Sequence, residues 1–166
     1  SSRRRRGAAD EHRELSLLIS DGARFSMLAE RVGADELVKI MSEYYDGMVG
    51  TLLAEDATVD KFVGDSIFAY WNAPEPRADH AKRACLAALR ASAASRALVN
   101  RNFGRGEDAL LTRFGLHTGP AVFGNLGAKS RMDFTVMGAS VNLASRIEGL
   151  NKAYGTTILA SARMRE

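Results

Sequence analysis

Apolar residues recur along this chain with two different periods, which separate the predicted helices from the predicted strands. Over residues 34–54 they return every three or four positions, as on the buried face of an amphipathic helix. An alanine-rich stretch over about 80–99 repeats this period, and Asp79 directly before it is suited to cap the helix. Gly155 is placed as the C-terminal cap of a later helix. The two remaining helices are predicted at 24–31 and at about 140–153.

Shorter apolar runs that are bounded by turn residues predict the strands. Between residues 58 and 71 two such runs meet at Gly64-Asp65, which favours a type II′ hairpin turn because glycine takes the first backbone angle at low cost. Gly119-Pro120 predicts a break between two later strands. The strands cover 15–20, the two arms of the 58–71 hairpin, 112–118, 120–125, 133–137 and 156–160. This order predicts an α/β (α+β) sandwich in which helices cover a mixed sheet.

Composition narrows the class of protein. A chain of 166 residues with 46% hydrophobic content can build one domain with its own core. The net charge is +3, but Arg3-Arg4-Arg5-Arg6 exceed it by themselves, so the rest is nearly neutral and we expect no nucleic-acid partner. The single cysteine, Cys85, excludes an intrachain disulfide and fits a reducing, cytoplasmic setting. The sequence contains no apolar run near the ~20 residues that span a membrane.

The chain divides into a basic, flexible N-terminal segment, residues 1–13, and one domain, residues 14–166. Two interpretations of the basic segment stay open. It is either a disordered tail or the cytoplasmic flank of a membrane helix outside this sequence, since such flanks collect arginine and lysine. In the second case the domain lies on the cytoplasmic side of a membrane-anchored protein.

Two acidic residues stand at the ends of predicted buried strands. Asp21 follows the first apolar run, and the hairpin turn lifts the carboxylate of Asp65 clear of the core. Either aspartate by itself is more typical of a polar turn residue. Together they favour a site for a hard metal ion, which prefers carboxylate oxygens.

The last predicted long helix carries a second candidate group. Asn142 and Arg146 are four positions apart and therefore share one helical face. An amide and a guanidinium there could bind a sugar oxygen and a phosphate, although an ordinary solvated face is the commoner explanation. Lys61 by itself is typical of an exposed strand edge. The sequence has no P-loop, and its three histidines lack partners at metal-ligand or triad spacing.

Taken in order, these segments resemble the catalytic domain of class III nucleotidyl cyclases, the adenylyl and guanylyl cyclases. The likeness runs from about residue 15 to the end and is carried by a set of segments rather than by one motif. The segments are Ser20-Asp21 with Phe25-Ser26-Met27-Leu28-Ala29-Glu30, Lys61-Phe62-Val63-Gly64-Asp65 with Ala69 and Trp71, Gly115-Leu116-His117-Thr118-Gly119, and Asp133-Phe134-Thr135-Val136-Met137-Gly138 running into Val141-Asn142-Leu143-Ala144-Ser145-Arg146.

The resemblance implies a ferredoxin-like βαββαβ core and a metal-assisted reaction. Asp21, Asp65 and the backbone carbonyl of Gly22 would hold two divalent cations, Mg²⁺ or Mn²⁺, and the ribose 3′-hydroxyl of a nucleoside triphosphate would attack its α-phosphate. The products are a 3′,5′-cyclic nucleotide and pyrophosphate. Arg146 would stabilise charge on phosphorus, and Asn142 would orient the ribose.

The resemblance also implies how the base is chosen and where the sites lie. Lys61 with Thr135 is an adenylyl-type pair, which implies ATP as substrate, and Phe62 would pack near the base. In this family the metal aspartates of one site come from one subunit, and the base-reading pair with Asn142 and Arg146 comes from the other, so we expect a homodimer with two equivalent sites. An upstream sensor or membrane region is expected to control such a domain.

Some positions depart from the family pattern. Gly22 replaces a bulky aliphatic residue, Arg24 replaces a small or polar one, and Ala139 replaces an acid. The family's domain usually continues with a further strand pair, so we expect the C-terminal end to be truncated. These departures keep open a non-catalytic module that dimerises or binds nucleotide. A guanylyl cyclase is opposed by Lys61, and a diguanylate cyclase would need a Gly-Gly-acidic-acidic hairpin tip.

Overall fold

The computed structural model describes residues 11–22, 24–104, 111–128 and 131–166, with the backbone only at 126–128 and 131–133. The strands are β1 (Glu11–Gly22), β2 (Thr58–Val63), β3 (Ser66–Trp71), β4 (Thr112–Ala128), β5 (Arg131–Met137) and β6 (Ile158–Ala160). The helices are α1 (Phe25–Arg31), α2 (Ala34–Ala54), α3 (His80–Phe103) and α4 (Ala139–Tyr154), and a 3₁₀ turn covers Ala162–Arg165.

The strands form one mixed sheet in the order β2-β3-β1-β4-β5, and β6 pairs with β4. The pairing of β6 with β4 is parallel, and the other pairings are antiparallel. Because β1 lies between β3 and β4, the first four strands with α2 and α3 form a βαββαβ unit. The predicted fold class is therefore confirmed.

The two faces of the sheet have separate cores, because successive strand residues point to opposite faces. On one face α2 and α3 cover Leu18, Trp71 and Phe114, which are buried completely. On the other face Leu17 and Tyr70 pack in a cluster that includes Ala144 of α4. The site described below lies at the end of β1 and on the face that α4 covers in part.

Gly115 on β4 sets the position of α4. A Cβ atom at this glycine would lie 2.3 Å from the backbone nitrogen of Glu148 and 2.5 Å from the carbonyl oxygen of Ala144. Any other residue would therefore push the helix away from the sheet. This close contact fixes where α4 presents Asn142 and Arg146.

The predicted break at Gly119-Pro120 is wrong, since β4 runs without interruption through both residues. Pro120 is in register with Glu14 of β1. On its other side β4 pairs with β6 near Leu116 and with β5 only from Val122 onward, so Pro120 lies in the gap between these partners. Its carbonyl there accepts a hydrogen bond from Ser140, at 2.7 Å. Because neither β5 nor β6 pairs with β4 at this point, the proline's lack of a backbone N–H costs the sheet no hydrogen bond.

Other element ends differ in smaller ways from the predictions. β1 begins at Glu11, so residues 11–13 lie in the sheet and not in a flexible segment. Asp79 occupies the N-cap position of α3, but its carboxylate accepts a hydrogen bond from Arg83 at 3.0 Å and caps no backbone N–H. Gly155 caps α4 in the left-handed conformation, as predicted. Across the described ranges, no helix combines the length and apolar character that crossing a membrane requires.

Candidate functional site

The hairpin between β2 and β3 carries the first site residue at its tip. Gly64 has a φ of 60° whereas Asp65 has no positive φ, which is the combination that the predicted type II′ turn requires. The hydroxyl of Tyr45 on α2 donates a hydrogen bond to the carbonyl oxygen of Gly64. The Tyr45 ring also lies 5.0 Å from the ring of Phe62, centroid to centroid. Helix α2 therefore holds the tip that presents Asp65.

Asp21 and Asp65, the two predicted metal ligands, come together at the end of β1. Their carboxyl groups are close enough to share a hydrogen bond, and the backbone N–H of Gly22 also bonds to Asp65. Burial and then the negative charge of Asp21 raise the pKa of Asp65 to about 6. Two acids in contact at a half-buried position repel each other when both are ionised, and a cation between them would remove that repulsion.

Gly22 makes the close approach of Asp65 possible. A Cβ at this glycine would lie 3.0 Å from a carboxylate oxygen of Asp65, so a larger residue would force that carboxylate to shift. Gly22 is buried and stands in register with Thr112 as the last pair of the β1–β4 ladder.

The donors at this point suit a hard cation. Within the part of the chain that the structure describes, no three histidine, cysteine, aspartate or glutamate side chains lie close enough together to hold a metal ion. The two carboxylates make an incomplete oxygen shell. Mg²⁺ favours such a shell, since it binds through one or two carboxylates and keeps waters and substrate phosphates as its other ligands.

Glu148 on α4 is a third acid near this pair that the sequence did not reveal. Burial, followed by the charge of Asp21, raises the pKa of Glu148 to about 7, and the opposing effect of Arg113 is smaller. Arg113 stands directly opposite Asp21 in the β1–β4 register. Neither residue carried a usable signal in the sequence, because the nearness of Glu148 to Asp21 depends on how closely α4 approaches Gly115, and that of Arg113 depends on the register of β1 with β4.

The second predicted group also assembles, at a different place. The ammonium nitrogen of Lys61 lies 3.5 Å from the hydroxyl oxygen of Thr135, which in turn donates a hydrogen bond to Asp60 at 2.9 Å. Lys61 is 3.6 Å from the same carboxylate oxygen of Asp60. The sequence predicted Lys61 and Thr135 and missed Asp60.

Phe62 does not join this second group within the chain. Its ring packs on Tyr45, on the side of α2, while Lys61 beside it contacts Thr135. Neighbouring strand residues point in opposite directions, which accounts for the separation. The predicted role of Phe62 near a nucleotide base therefore gains no support from these contacts.

Asn142 and Arg146 are both exposed on α4. Among the described residues, neither side chain has a hydrogen-bond or ion-pair partner, so no such contact joins Asn142 or Arg146 to Asp21, Asp65 or Lys61. One chain thus presents its acids, its Lys61–Thr135 pair and its exposed α4 residues as separate groups.

Comparison with known proteins identifies relatives for nearly the whole chain. The family model described as the adenylate and guanylate cyclase catalytic domain matches residues 8–163. The chain is 42% identical over 155 residues to Adenylate cyclase 1 of Rhizobium meliloti (strain 1021), a match that covers 93% of this chain and 23% of the relative. It is 33% identical over 156 residues to the adenylate cyclase of Anabaena cylindrica, covering 92% of this chain and 30% of that protein. The chain therefore spans about a quarter of the length of these relatives.

Two solved structures share the fold closely. The adenylyl cyclase CyaB from P. aeruginosa matches with a TM-score of 0.84 at 29% identity, over 93% of this chain and 80% of that one. The guanylyl cyclase Cya2 matches with a TM-score of 0.83 at 31% identity, over 96% of this chain and 79% of that one. Because both kinds of cyclase have this fold, the fold does not decide between ATP and GTP.

Proposed function

Because this chain belongs to the adenylate and guanylate cyclase catalytic-domain family, we propose that it converts ATP to 3′,5′-cyclic AMP and pyrophosphate. The observation that carries the choice of ATP is the contact between Lys61 and Thr135, at 3.5 Å. The likeness to relatives named adenylate cyclase supports the same choice.

In the proposed mechanism Asp21, Asp65 and the carbonyl of Gly22 would hold the divalent cations, Mg²⁺ or Mn²⁺. The chemistry that bound cations supply there is neutralisation of the triphosphate and a lower pKa for the ribose 3′-hydroxyl. The 3′-oxygen forms a bond to the α-phosphorus, the bond from that phosphorus to the bridging oxygen of the β-phosphate breaks, and the hydroxyl proton passes to solvent. Arg146 stabilises the charge that builds on phosphorus, and Asn142 orients the ribose.

Lys61 and Thr135 select the base by complementary hydrogen bonding. An ammonium group donates, so Lys61 pairs with N1 of adenine, which accepts. The hydroxyl of Thr135 accepts from the exocyclic amine. Guanine presents the reverse pattern, with N1–H as a donor and O6 as an acceptor, so it leaves both residues mismatched.

Each active site is shared between two chains in this proposal. Lys61 and Asp65 are four positions apart yet belong to separate groups within one chain, which supports their use in different sites. Exposed apolar side chains support a two-fold dimer, since Val63 at the hairpin is 67% and Met137 on β5 is 44% exposed. An isolated chain would then be inactive.

A larger protein is the proposed setting. The relatives are several times longer than this chain, which supports a role as the catalytic output domain of a regulated protein. We propose a cytoplasmic location, where ATP and Mg²⁺ are present. An anchored location on the cytoplasmic side of a membrane fits the same chemistry.

A second candidate is a non-catalytic module of the same fold. The replacement of a bulky residue by Gly22 is the observation that favours it. The pairing of Gly22 in the sheet and the approach of Asp65 to Asp21 oppose it, because a degenerate site is expected to lose its acids first.

The decisive experiment is product formation from ATP with Mn²⁺, with GTP as the competing substrate, over a range of protein concentrations. We expect cyclic AMP, little cyclic GMP, and a specific activity that rises with concentration as dimers form. A chain that binds ATP and forms dimers but gives no product would support the non-catalytic module. Equal use of GTP would contradict the proposed role of Lys61 and Thr135.

A further inference from the structure

Asp60 lies against both residues of the base-reading pair. Its oxygen Oδ2 accepts the hydrogen bond from Thr135 at 2.9 Å and lies 3.6 Å from the ammonium nitrogen of Lys61. We infer that Asp60 is a positioning residue that makes this site prefer ATP over GTP by fixing the direction of the Thr135 hydroxyl. This inference rests on the proposed function, since it presupposes that Lys61 and Thr135 read the base.

A hydroxyl group has one proton to donate, so once that proton is bound to a partner the oxygen can act only as an acceptor toward other groups. Thr135 donates its proton to Asp60, an acceptor that offers no proton in return when ionised. The lone pairs of Thr135 are then left for a donor. The exocyclic amine of adenine is a donor and O6 of guanine is not, so the direction of one hydroxyl excludes the wrong base.

The same carboxylate also holds the ammonium group of Lys61. The Lys61 side chain is 51% exposed and long, and without a partner it would sample many rotamers. The negative charge of Asp60 keeps the ammonium group beside Thr135 and leaves its other protons for an acceptor such as adenine N1. Asp60 therefore positions one donor and one acceptor side by side.

The backbone is built to bring Asp60 to this place. Val59 is in register with Ala69 and Lys61 with Phe68, so Asp60 is an extra residue in β2 that opposes no partner on β3. A bulge of this kind re-aims a side chain, and here it lets Asp60 and Lys61 reach the same oxygen of Thr135 although they are neighbours in sequence.

Burial gives the carboxylate its strength as an acceptor. The side chain of Asp60 is 7% exposed, whereas that of Lys61 is largely open. A buried charge is tolerated when it is paired and hydrogen-bonded, and Thr135 and Lys61 provide both kinds of contact. Its charge also reaches the buried Tyr70, where burial and then Asp60 raise the pKa of the phenol to about 12.

The test compares Asp60→Asn with wild type in the full chain, using kcat/KM for ATP and for GTP with Mn²⁺. An amide can donate to Thr135 and so frees the hydroxyl proton to turn toward the base. We expect the ratio of kcat/KM for ATP to that for GTP to fall by about tenfold, mainly through a higher KM for ATP. Asp46→Asn, which changes an exposed acid on α2, is the matched control and should keep the wild-type ratio.

A substrate analogue separates positioning from a general loss of structure. Purine riboside triphosphate lacks the exocyclic amine but keeps N1, so Asp60→Asn should lower its kcat/KM less than that for ATP, by only the part that acts through Lys61. For the same reason, Asp60→Asn added to Thr135→Val, which has no hydroxyl to direct, should lower the ATP to GTP ratio less than Asp60→Asn does in the wild type. An equal loss with all three nucleotides would assign Asp60 a structural role and overturn the inference.

The failure of this inference can be told apart from a failure of the proposed function. A wild-type protein that makes no cyclic AMP, or does not prefer ATP, would contradict the proposed function. A wild-type protein that prefers ATP, with an Asp60→Asn variant that keeps the preference, would contradict only the role of Asp60. If Asp60→Asn does not fold, Asp60→Ser replaces it in the test. Serine is also neutral and can also donate to Thr135, so the same fall in the ATP to GTP ratio of kcat/KM is expected.

Discussion

Lys61 and Thr135 lie 3.5 Å apart although β2 and β5, which carry them, are the opposite edges of the sheet. A flat sheet would separate edge strands with three strands between them by about 19 Å. The sheet must therefore curl so that the β4–β5 hairpin reaches β2. The contact between Lys61 and Thr135 therefore depends on this curvature, and the bulge in β2 then aims Lys61 and Asp60 at Thr135.

Reversing the charge of Lys61 tests its part in reading the base. Lys61→Glu should lower kcat/KM for ATP at least about tenfold, because the new carboxylate cannot donate to adenine N1 and is repelled by Asp60. Initial rates with ATP and GTP measure the effect. Lys39→Glu, an exposed change on α2, serves as the control, and unchanged ATP kinetics in Lys61→Glu would remove Lys61 from base recognition.

Removing the charge of Asp65 should abolish activity and at the same time raise the stability of the fold. Asp65→Ala and Asp65→Asn are expected to abolish turnover with the fold intact. Without metal, Asp65→Asn should raise the melting temperature by roughly 2–4 °C, since removing a charge that burial and then repulsion from Asp21 disfavour at this half-exposed site contributes about 1 kcal/mol. Full activity in Asp65→Ala would contradict the metal assignment.

The stabilisation by Asp65→Asn should depend on pH. The pKa of Asp65 is raised to about 6, so its ionised form destabilises the folded state above that pH, and protonation relieves this as the pH falls through 6. Melting curves at pH 7.5 should therefore show a larger gain from Asp65→Asn than curves at pH 5. Mn²⁺ should raise the melting temperature of the wild type and not that of the variant.

Two inactive variants should restore activity when they are mixed. Asp21→Ala lacks a metal ligand and Arg146→Ala lacks the group that stabilises phosphorus, but a mixed dimer keeps one complete site of its two. Random exchange makes half of the dimers mixed, so roughly one quarter of wild-type activity is expected. A mixture that stays inactive while both variants still dimerise would rule out sites shared between chains.

The hydrogen bond from Tyr45 to Gly64 should matter for metal binding. Tyr45→Phe keeps the ring against Phe62 but frees the hairpin tip that carries Asp65. We expect unfolding to be easier by about 1 kcal/mol and Mn²⁺ affinity to fall several-fold. Titrations with Mn²⁺ followed by thermal unfolding measure both effects. Tyr154→Phe, at a 71% exposed tyrosine, should change neither.

Local patterns predicted most elements well and failed where a distant strand decides the outcome. Helix α2 covers 34–54 as predicted, because its apolar period is long and unbroken. The hairpin turn at Gly64-Asp65 was predicted correctly because turn type depends on the conformational preferences of the turn residues themselves. Pro120 predicted a break, and β4 nevertheless continues because the proline lies where no strand needs its N–H.

The sequence by itself determined most of the elements, the βαββαβ order and the family, and it predicted which acids and which base-reading residues would form the site. The tertiary structure decided which of these residues meet. Asp60, Arg113 and Glu148 entered the site only there, through a bulge in β2, the register of β1 with β4, and the close approach of α4 to Gly115. Periodicity and turn propensity act over a few residues, whereas these contacts depend on sheet curvature and helix docking, which the whole chain sets through packing.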